Sequence, residues 1–298
     1  MVPQYQQLPR RLITGFLLLG IRELFRFVLK LPFSFFQYLL IMKKTESFRK
    51  LYRSCATKSV LILGNGPSVN NLSPEQLKKF QQNGGDIFVM NDFALSKLAK
   101  SFEPNFYFVC DPYYWNLEDP LARFKTLRIQ KYMNEQKDMR VIQSAFLPKF
   151  YQGFKENLQT GTIPFHGFFN FSNPCGFWSH APSTTLVAIA TAARWGYENI
   201  YFAGLDSDTY LNYSLNSLNE IMLTGKQYFF YGENTDAELA SRLQKEVFYV
   251  GADYRDYADI LFANALFRRS AKRLLQGKGI NVGGDLTNDS AWRASLIK

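Results

Sequence analysis

The chain has 298 residues, 47% of them hydrophobic and 16% aromatic, which excludes a disordered chain and allows one large domain or two small ones. The net charge is +10, but residues 1–58 hold eleven Lys and Arg against Glu23 and Glu46, so the rest of the chain is close to neutral. A uniformly basic nucleic-acid binder is excluded by that asymmetry, and no nucleic-acid partner is expected.

Residues 10–44 are the greasiest part of the chain. Their uncharged runs, 12–21 and 31–42, are both shorter than the roughly 18 residues that a membrane-spanning helix needs. Between them Arg22, Arg26 and Lys30 fall at i, i+4 and i+8, with Leu24, Phe25, Phe27, Val28 and Leu29 around them. The spacing predicts an amphipathic helix, kinked or restarted at Pro32, with a cationic stripe suited to anionic lipid headgroups. A secretory signal fits less well. Arg10 and Arg11 precede an apolar run, but Arg22 and Glu23 follow it in place of a small-residue cleavage site. The competing reading is an ordinary helix pair packed on the domain. A second basic helix at 267–275 is a candidate for the same surface. The expected organisation is therefore a membrane-associating segment at 1–50 and a catalytic domain at 51–298. Its expected location is cytoplasmic, on the inner face of the membrane.

The stretch 58–72 reads K-S-V-L-I-L-G-N-G-P-S-V-N-N-L. An apolar strand, Ser59–Leu63, runs into Gly64, Asn65, Gly66, Pro67 and Ser68. Ser73, Pro74 and Gln76 then have the spacing of an N-cap, a proline at N1 and a capping box, which opens a helix over Pro74–Gln82. A strand, a glycine turn and a helix in that order are expected to set backbone N–H groups at the carboxyl end of a sheet, where nucleotides and phosphates bind. Glycine is expected there because a side chain would hold a ligand off the backbone.

Further strands are expected at Asp86–Met90, 106–110, 139–143 and Asn199–Ala203, and further helices at 92–100, 119–135, 183–195, 236–245 and 256–275. Alternation of short apolar strands with helices predicts an α/β fold, a mostly parallel sheet with helices on both faces. Two stretches break the pattern, 151–182 and a lid-like insertion at about 207–235. Both are long enough to be functional loops. The three cysteines, Cys55, Cys110 and Cys175, have neither metal-site nor redox-motif spacing, which implies a reducing compartment.

Polar residues recur at the expected strand ends: Asn65, then Asn91 and Asp92, then Asp111, then Asp206 and Asp208. In such a sheet these ends converge on one crevice, where Asn and Asp offer paired donors and acceptors to base, ribose or sugar hydroxyls. Asp206 and Asp208 also have the spacing of a pair that could hold Mg or Mn against a diphosphate. Of the two histidines, His166 lies in the first long loop and His180 just before the expected helix start at Ser183 and Thr184. A histidine near neutrality is the usual general base.

The glycine turn, the Asn after the second strand and the hydroxyl-rich helix start lead into Gly196-Tyr197-Glu198-Asn199-Ile200-Tyr201-Phe202-Ala203-Gly204-Leu205-Asp206. In that order, over about 58–236, the chain resembles bacterial family 42 sialyltransferases. It also resembles their wider superfamily of flagellin-modifying motility accessory factors and archaeal hydroxymethylpterin diphosphokinases. The resemblance implies a Rossmann-like domain, CMP-sialic acid or a related CMP-sugar as donor, and no metal or other cofactor. It implies nucleotide-sugar contacts at Gly64, Asn65, Gly66, Pro67, Ser68, Asn91, Asp111, Ser183, Thr184 and Asp206, and a leaving phosphate bound by Tyr210 and Tyr213. Asp111 stands where the family has Asn, and Ser183-Thr184-Thr185 where it has Thr-Ser-Gly. The family's lid histidine is replaced, with Glu233 in about its place before Asn234-Thr235-Asp236. The general base is therefore Glu233 or His180.

The expected function is an inverting glycosyltransferase that moves a sugar from a CMP-activated donor to a cell-surface glycan or glycolipid at the membrane surface; oligomerisation is left open. The alternatives are a Mg-dependent diphosphokinase-like enzyme, with Asp206 and Asp208 as ligands, and a non-catalytic nucleotide-fold scaffold.

Overall fold

The computed structural model describes residues 58–66, 69, 71–111, 114, 116–136, 138–144, 157–160, 163–164, 180–181, 184–205, 213–215, 221–223, 248–252, 275–276 and 281–282. The expected N-terminal amphipathic helix and the helices at 236–245 and 256–275, but for the last residue, lie outside them. Among the described residues no helix is long and apolar enough to cross a membrane.

Strand β1 is Ser59–Leu63, and four of its five residues are fully buried Val, Leu and Ile. A strand buried on both faces has to lie inside a sheet covered on both sides. β2 (Asp86–Met90), β3 (Phe106–Val109), β4 (Arg140–Ser144) and β5 (Asn157–Thr160) follow in sequence on one side of β1. β8 (Asn199–Ala203) and β12 (Asn281–Val282) lie on its other side. The order is β12-β8-β1-β2-β3-β4-β5, and every pairing is parallel. The strand order reverses between β1 and β8, which register Ser59 to Asn199 through Leu63 to Ala203.

Parallel crossovers are right-handed, so moving outward in opposite directions from β1 puts the helices on opposite faces. Helices α1 (Pro74–Gln82) and α2 (Pro120–Glu135) cover the first face, where Leu61, Leu63, Ile87, Val89, Tyr107, Val109 and Val141 meet Leu77, Ile129, Tyr132 and Met133. Helix α3 (Thr184–Trp195) covers the second, packing Leu186, Val187, Ile189 and Trp195 on Val60, Ile62, Phe88, Phe106, Phe108 and Ile142. Successive strand residues thus feed alternate cores, as the period of two requires. Phe88 anchors the second core, with rings edge-on to Phe106 and Trp195. The capping box at Ser73 forms as expected, with Ser73 Oγ accepting from Gln76 N and Gln76 Oε1 from Ser73 N. Asp119 likewise caps α2 through Ala122 N.

The expected helix at 92–100 is corrected. Two short 3₁₀ turns, Asn91–Leu95 and Leu98–Lys100, stand in its place, separated by Ser96 in an extended conformation. The short hydroxyl of Ser96 accepts from Ala99 N, and Asp92 is drawn inward to buried partners. Both side chains thereby compete with a continuous helical ladder. The two stretches expected as loops hold short strands. β6 (Ile163–Pro164) pairs with β7 (His180–Ala181). β9 (Tyr213–Leu215), β10 (Ile221–Leu223) and β11 (Phe248–Ala252) form a separate antiparallel sheet.

Gly64 and Gly204 end β1 and β8 side by side. A Cβ on Gly64 would overlap the carbonyl oxygen of Gly204, and one on Gly204 would overlap Val69 and the backbone of Gly64. Gly204 also has φ +69°. Gly84 has φ +81° but open space around its Cβ position. Gly64→Ala should therefore cost about 1–3 kcal/mol by crowding, whereas Gly84→Ala should cost only about 1 kcal/mol from backbone conformation. Gly204→Ala should carry both penalties. Urea unfolding of the three variants measures the ranking, and equal losses at Gly64 and Gly84 would contradict the crowding argument.

Candidate functional site

The strand order reverses between β1 and β8, and open α/β sheets hold ligands outside the carboxyl ends of the strands at such a switch point. There, Gly64 N donates to Ala203 O at 2.8 Å and Gly66 N to Gly204 O at 2.8 Å. The strands thus continue to pair past the sheet. The N–H groups of Gly64 and Gly66, two of those expected at the carboxyl end of the sheet, are thus occupied within the fold. They are consumed by β8, and Gly64 is required by the neighbouring backbone. The start of α1 is likewise satisfied by its own capping box.

Asn65 and Asn91 follow β1 and β2, which are neighbours in the sheet. Their Oδ1 atoms are out of contact with solvent and have no hydrogen-bond partner among the described residues. A buried oxygen without a partner is costly, so two on adjacent strand ends mark a place where a donor belongs. Asn91 also has φ +46°, the left-handed region that asparagine tolerates better than most residues. The turn around it is held by Tyr107, whose hydroxyl donates to Asn91 O and accepts from Ala94 N at 3.2 Å.

Asp111 follows β3 and is half-buried, and its carbonyl accepts from Tyr114 N at 3.3 Å. Burial and then the Asp92 and Asp111 carboxylates hold the Tyr114 phenol well above its ordinary range, so it stays a donor. Thr184 is buried at the start of α3, and the neighbouring Thr185 hydroxyl lies 3.2 Å from Met90 Sδ at the end of β2. This brings the α3 start beneath the same strand ends. His180 lies on β7 and Tyr213 on β9. Pro67, Ser68, Ser183, Asp206, Asp208, Tyr210 and Glu233 lie outside the described residues. Gly64, Asn65, Gly66, Asn91, Asp111 and Thr184 are thus the predicted site residues that sit at the carboxyl edge of the sheet.

Three further polar residues were not singled out by sequence reasoning. Gln143, at the end of β4, has its Oε1 buried with no partner among the described residues. It lies within β4, one residue before the strand ends, whereas Asn65, Asn91 and Asp111 all follow their strands. Lys125, on α2, and Tyr114 both meet Asp92, and nothing in the sequence ties these distant positions together.

No protein-family model matches the chain, and no curated protein matches it. Among solved structures, the chain is similar to the MAf glycosyltransferase from Magnetospirillum magneticum AMB-1, at 15% identity and a TM-score of 0.38. The match covers 80% of this chain and 44% of that one, so the chain spans less than half the length of that protein.

Proposed function

We propose that the protein is an inverting glycosyltransferase that uses a nucleotide-activated sugar, with CMP-sialic acid or a related CMP-nonulosonate as donor. The observation that supports a nucleotide in the crevice is the pair of orphaned amide oxygens, Asn65 Oδ1 and Asn91 Oδ1, on adjacent strand ends at the switch point. Ribose hydroxyls and the amino group of a cytosine are the kind of donors such acceptors lack. The choice of CMP rests on the sequence resemblance over 58–236.

The reaction is a direct displacement. The acceptor hydroxyl oxygen attacks the anomeric carbon as the bond from that carbon to the CMP phosphate oxygen breaks. The acceptor proton passes to Glu233 or His180, and CMP leaves with the bonding pair. Tyr210, Tyr213 and the helix start at Ser183 and Thr184 stabilise the charge that builds on the leaving phosphate. Pro67, Ser68, Asp111 and Asp206 complete the donor contacts, and no metal is required. The acceptor is a glycan or glycolipid, reached from the membrane by the basic segment at 1–50.

Thermal stabilisation and turnover with a panel of CMP-, UDP- and GDP-linked sugars test the donor. Asn65→Ala and Asn91→Gly should each weaken CMP binding by about 1–3 kcal/mol. Neither should lower the unfolding free energy, because each removes a buried oxygen without a partner and glycine relaxes the positive φ. Unchanged CMP affinity in both variants would move the nucleotide elsewhere.

If Glu233 is the base, Glu233→Gln should cut kcat strongly and leave donor affinity nearly intact. A normal rate there, together with an inactive His180→Ala, would assign the proton to His180; normal rates in both would refute the mechanism.

Deleting residues 1–44 removes Arg10, Arg11, Arg22, Arg26, Lys30, Lys43 and Lys44 against Glu23 alone. Each cation near an anionic surface contributes about 1 kcal/mol, weakened by salt, and apolar insertion adds a part that salt does not remove. High salt should therefore extract the full-length protein from membranes only in part and detergent completely, while the truncated protein should not sediment with membranes. Full-length protein that stays in solution at low salt without detergent would refute the association.

A further inference from the structure

Asp92 and Lys125 form an ion pair in the interior, Nζ to Oδ2 at 2.9 Å, with side-chain exposures of 5% and 6%. The second carboxylate oxygen of Asp92 accepts from the Tyr114 hydroxyl at 2.8 Å. Thr126, next to Lys125 on α2, donates its hydroxyl to Tyr114 O at 2.6 Å. One carboxylate therefore joins three elements: the turn after β2, the loop after β3 and helix α2. A buried ion pair is seldom justified by stability, since apolar residues of similar volume commonly hold a core as well or better. Its directional bonds do fix geometry.

What they fix lies one residue away. Asn91 precedes Asp92 and has φ +46°, a conformation that persists in a non-glycine residue where the surroundings over-determine it. Its carbonyl is gripped by Tyr107 and the next side chain by Lys125 and Tyr114. The same Tyr114 donates its backbone N–H to Asp111 O. We infer that Asp92, Lys125 and Tyr114 form a positioning unit that holds Asn91 in its left-handed conformation, sets it in register with Asp111, and thereby pre-organises the nucleotide site. The part concerning the nucleotide rests on the function proposed above. None of the three residues is assigned a contact with donor or acceptor; they act through Asn91 and Asp111.

The test is an apolar replacement of the whole unit, D92L/Y114F/K125M, in the full-length chain. Single changes at Asp92 or Lys125 would strand one buried charge and confound the result with unfolding. The triple variant should unfold within a few degrees of the wild type, whereas its Kd for CMP by calorimetry should rise tenfold or more. Its crystal structure should show Asn91 with negative φ. A variant that keeps positive φ at Asn91 and binds CMP within twofold of the wild type overturns the inference, whatever its stability. If the triple variant does not fold, D92N/K125M, which retains the partner for Tyr114, is read by the same two measurements. Wild-type protein that binds no CMP would sink the nucleotide reading alone, and the φ of Asn91 in the variant would then decide the positioning role by itself.

Discussion

Gly64 N–H donating to Ala203 O and Gly66 N–H to Gly204 O extend the β1–β8 pairing one step past the sheet. That extension needs two backbones closer together than any side chain at Gly64 allows. Because β1 and β8 flank the reversal of strand order, their joined ends mark the switch point of the sheet. Everything around it inherits the constraint. The register of Leu63 with Ala203 sets how far the β1 turn projects, and Asn65 is carried on that turn beside the end of β2.

The strand-end Asn, Gln and Glu side chains are satisfied differently at the two edges of the sheet. At the amino edge Asn105 and Glu103 are matched, although the buried Tyr132 hydroxyl, which feels the Glu103 carboxylate, has no partner among the described residues. Asn105 Oδ1 accepts from Gln81 Nε2 at 2.9 Å and Ile87 N at 2.8 Å, and Glu103 Oε1 accepts from Asp138 N and Met139 N. The Tyr197 hydroxyl donates to Asp86 across the sheet. At the carboxyl edge Asn65, Asn91 and Gln143 each bury an oxygen without a partner among the described residues. Stability alone would favour matching both edges, since an orphaned buried oxygen costs about 1–3 kcal/mol. Three of the orphaned oxygens thus gather at the ends of β1, β2 and β4.

Strands β1, β2 and β8 were legible to the residue because apolar runs of four, each opened by Ser, Asp or Asn and closed by Gly or Asn, leave little room for another assignment. Helix α1 was legible for a similar reason, as Ser73, Pro74 and Gln76 write the cap in sequence. The chain at 92–100 misled because its apolar residues suit a helix, whereas Asp92 and Ser96 are drawn to partners that lie elsewhere in the sequence. Strands β5, β9 and β10, reading N-L-Q-T, Y-S-L and I-M-L, are too short to show a period. The placing of Asn65, Asn91 and Asp111 at the ends of β1, β2 and β3 was readable in the sequence. The reason for the glycines was not. Gly64 reads equally well as room for a ligand or room for a second backbone, and only the fold brings Gly204 against it. The Asp92–Lys125 pair, joining residues on different elements, left no local signal at all.

The consumed N–H groups also constrain how a nucleotide can lie. A phosphate placed against Gly64 or Gly66 would meet backbone amides already committed to β8, beside two carbonyl oxygens, Asn65 Oδ1 and Asn91 Oδ1, that repel an anion. A group rich in O–H or N–H donors in the same place meets the opposite situation, since each orphaned oxygen gains the partner it lacks. Under the proposed function, the ends of β1 and β2 are therefore suited to the nucleoside part of the donor and unsuited to its phosphate. The phosphate is better placed toward the start of α3, which reaches the same edge through Thr185 beside Met90, and where the helix dipole favours negative charge. Under the proposed function, strand ends that take the nucleoside and a helix start that draws the phosphate would hold a donor by both ends.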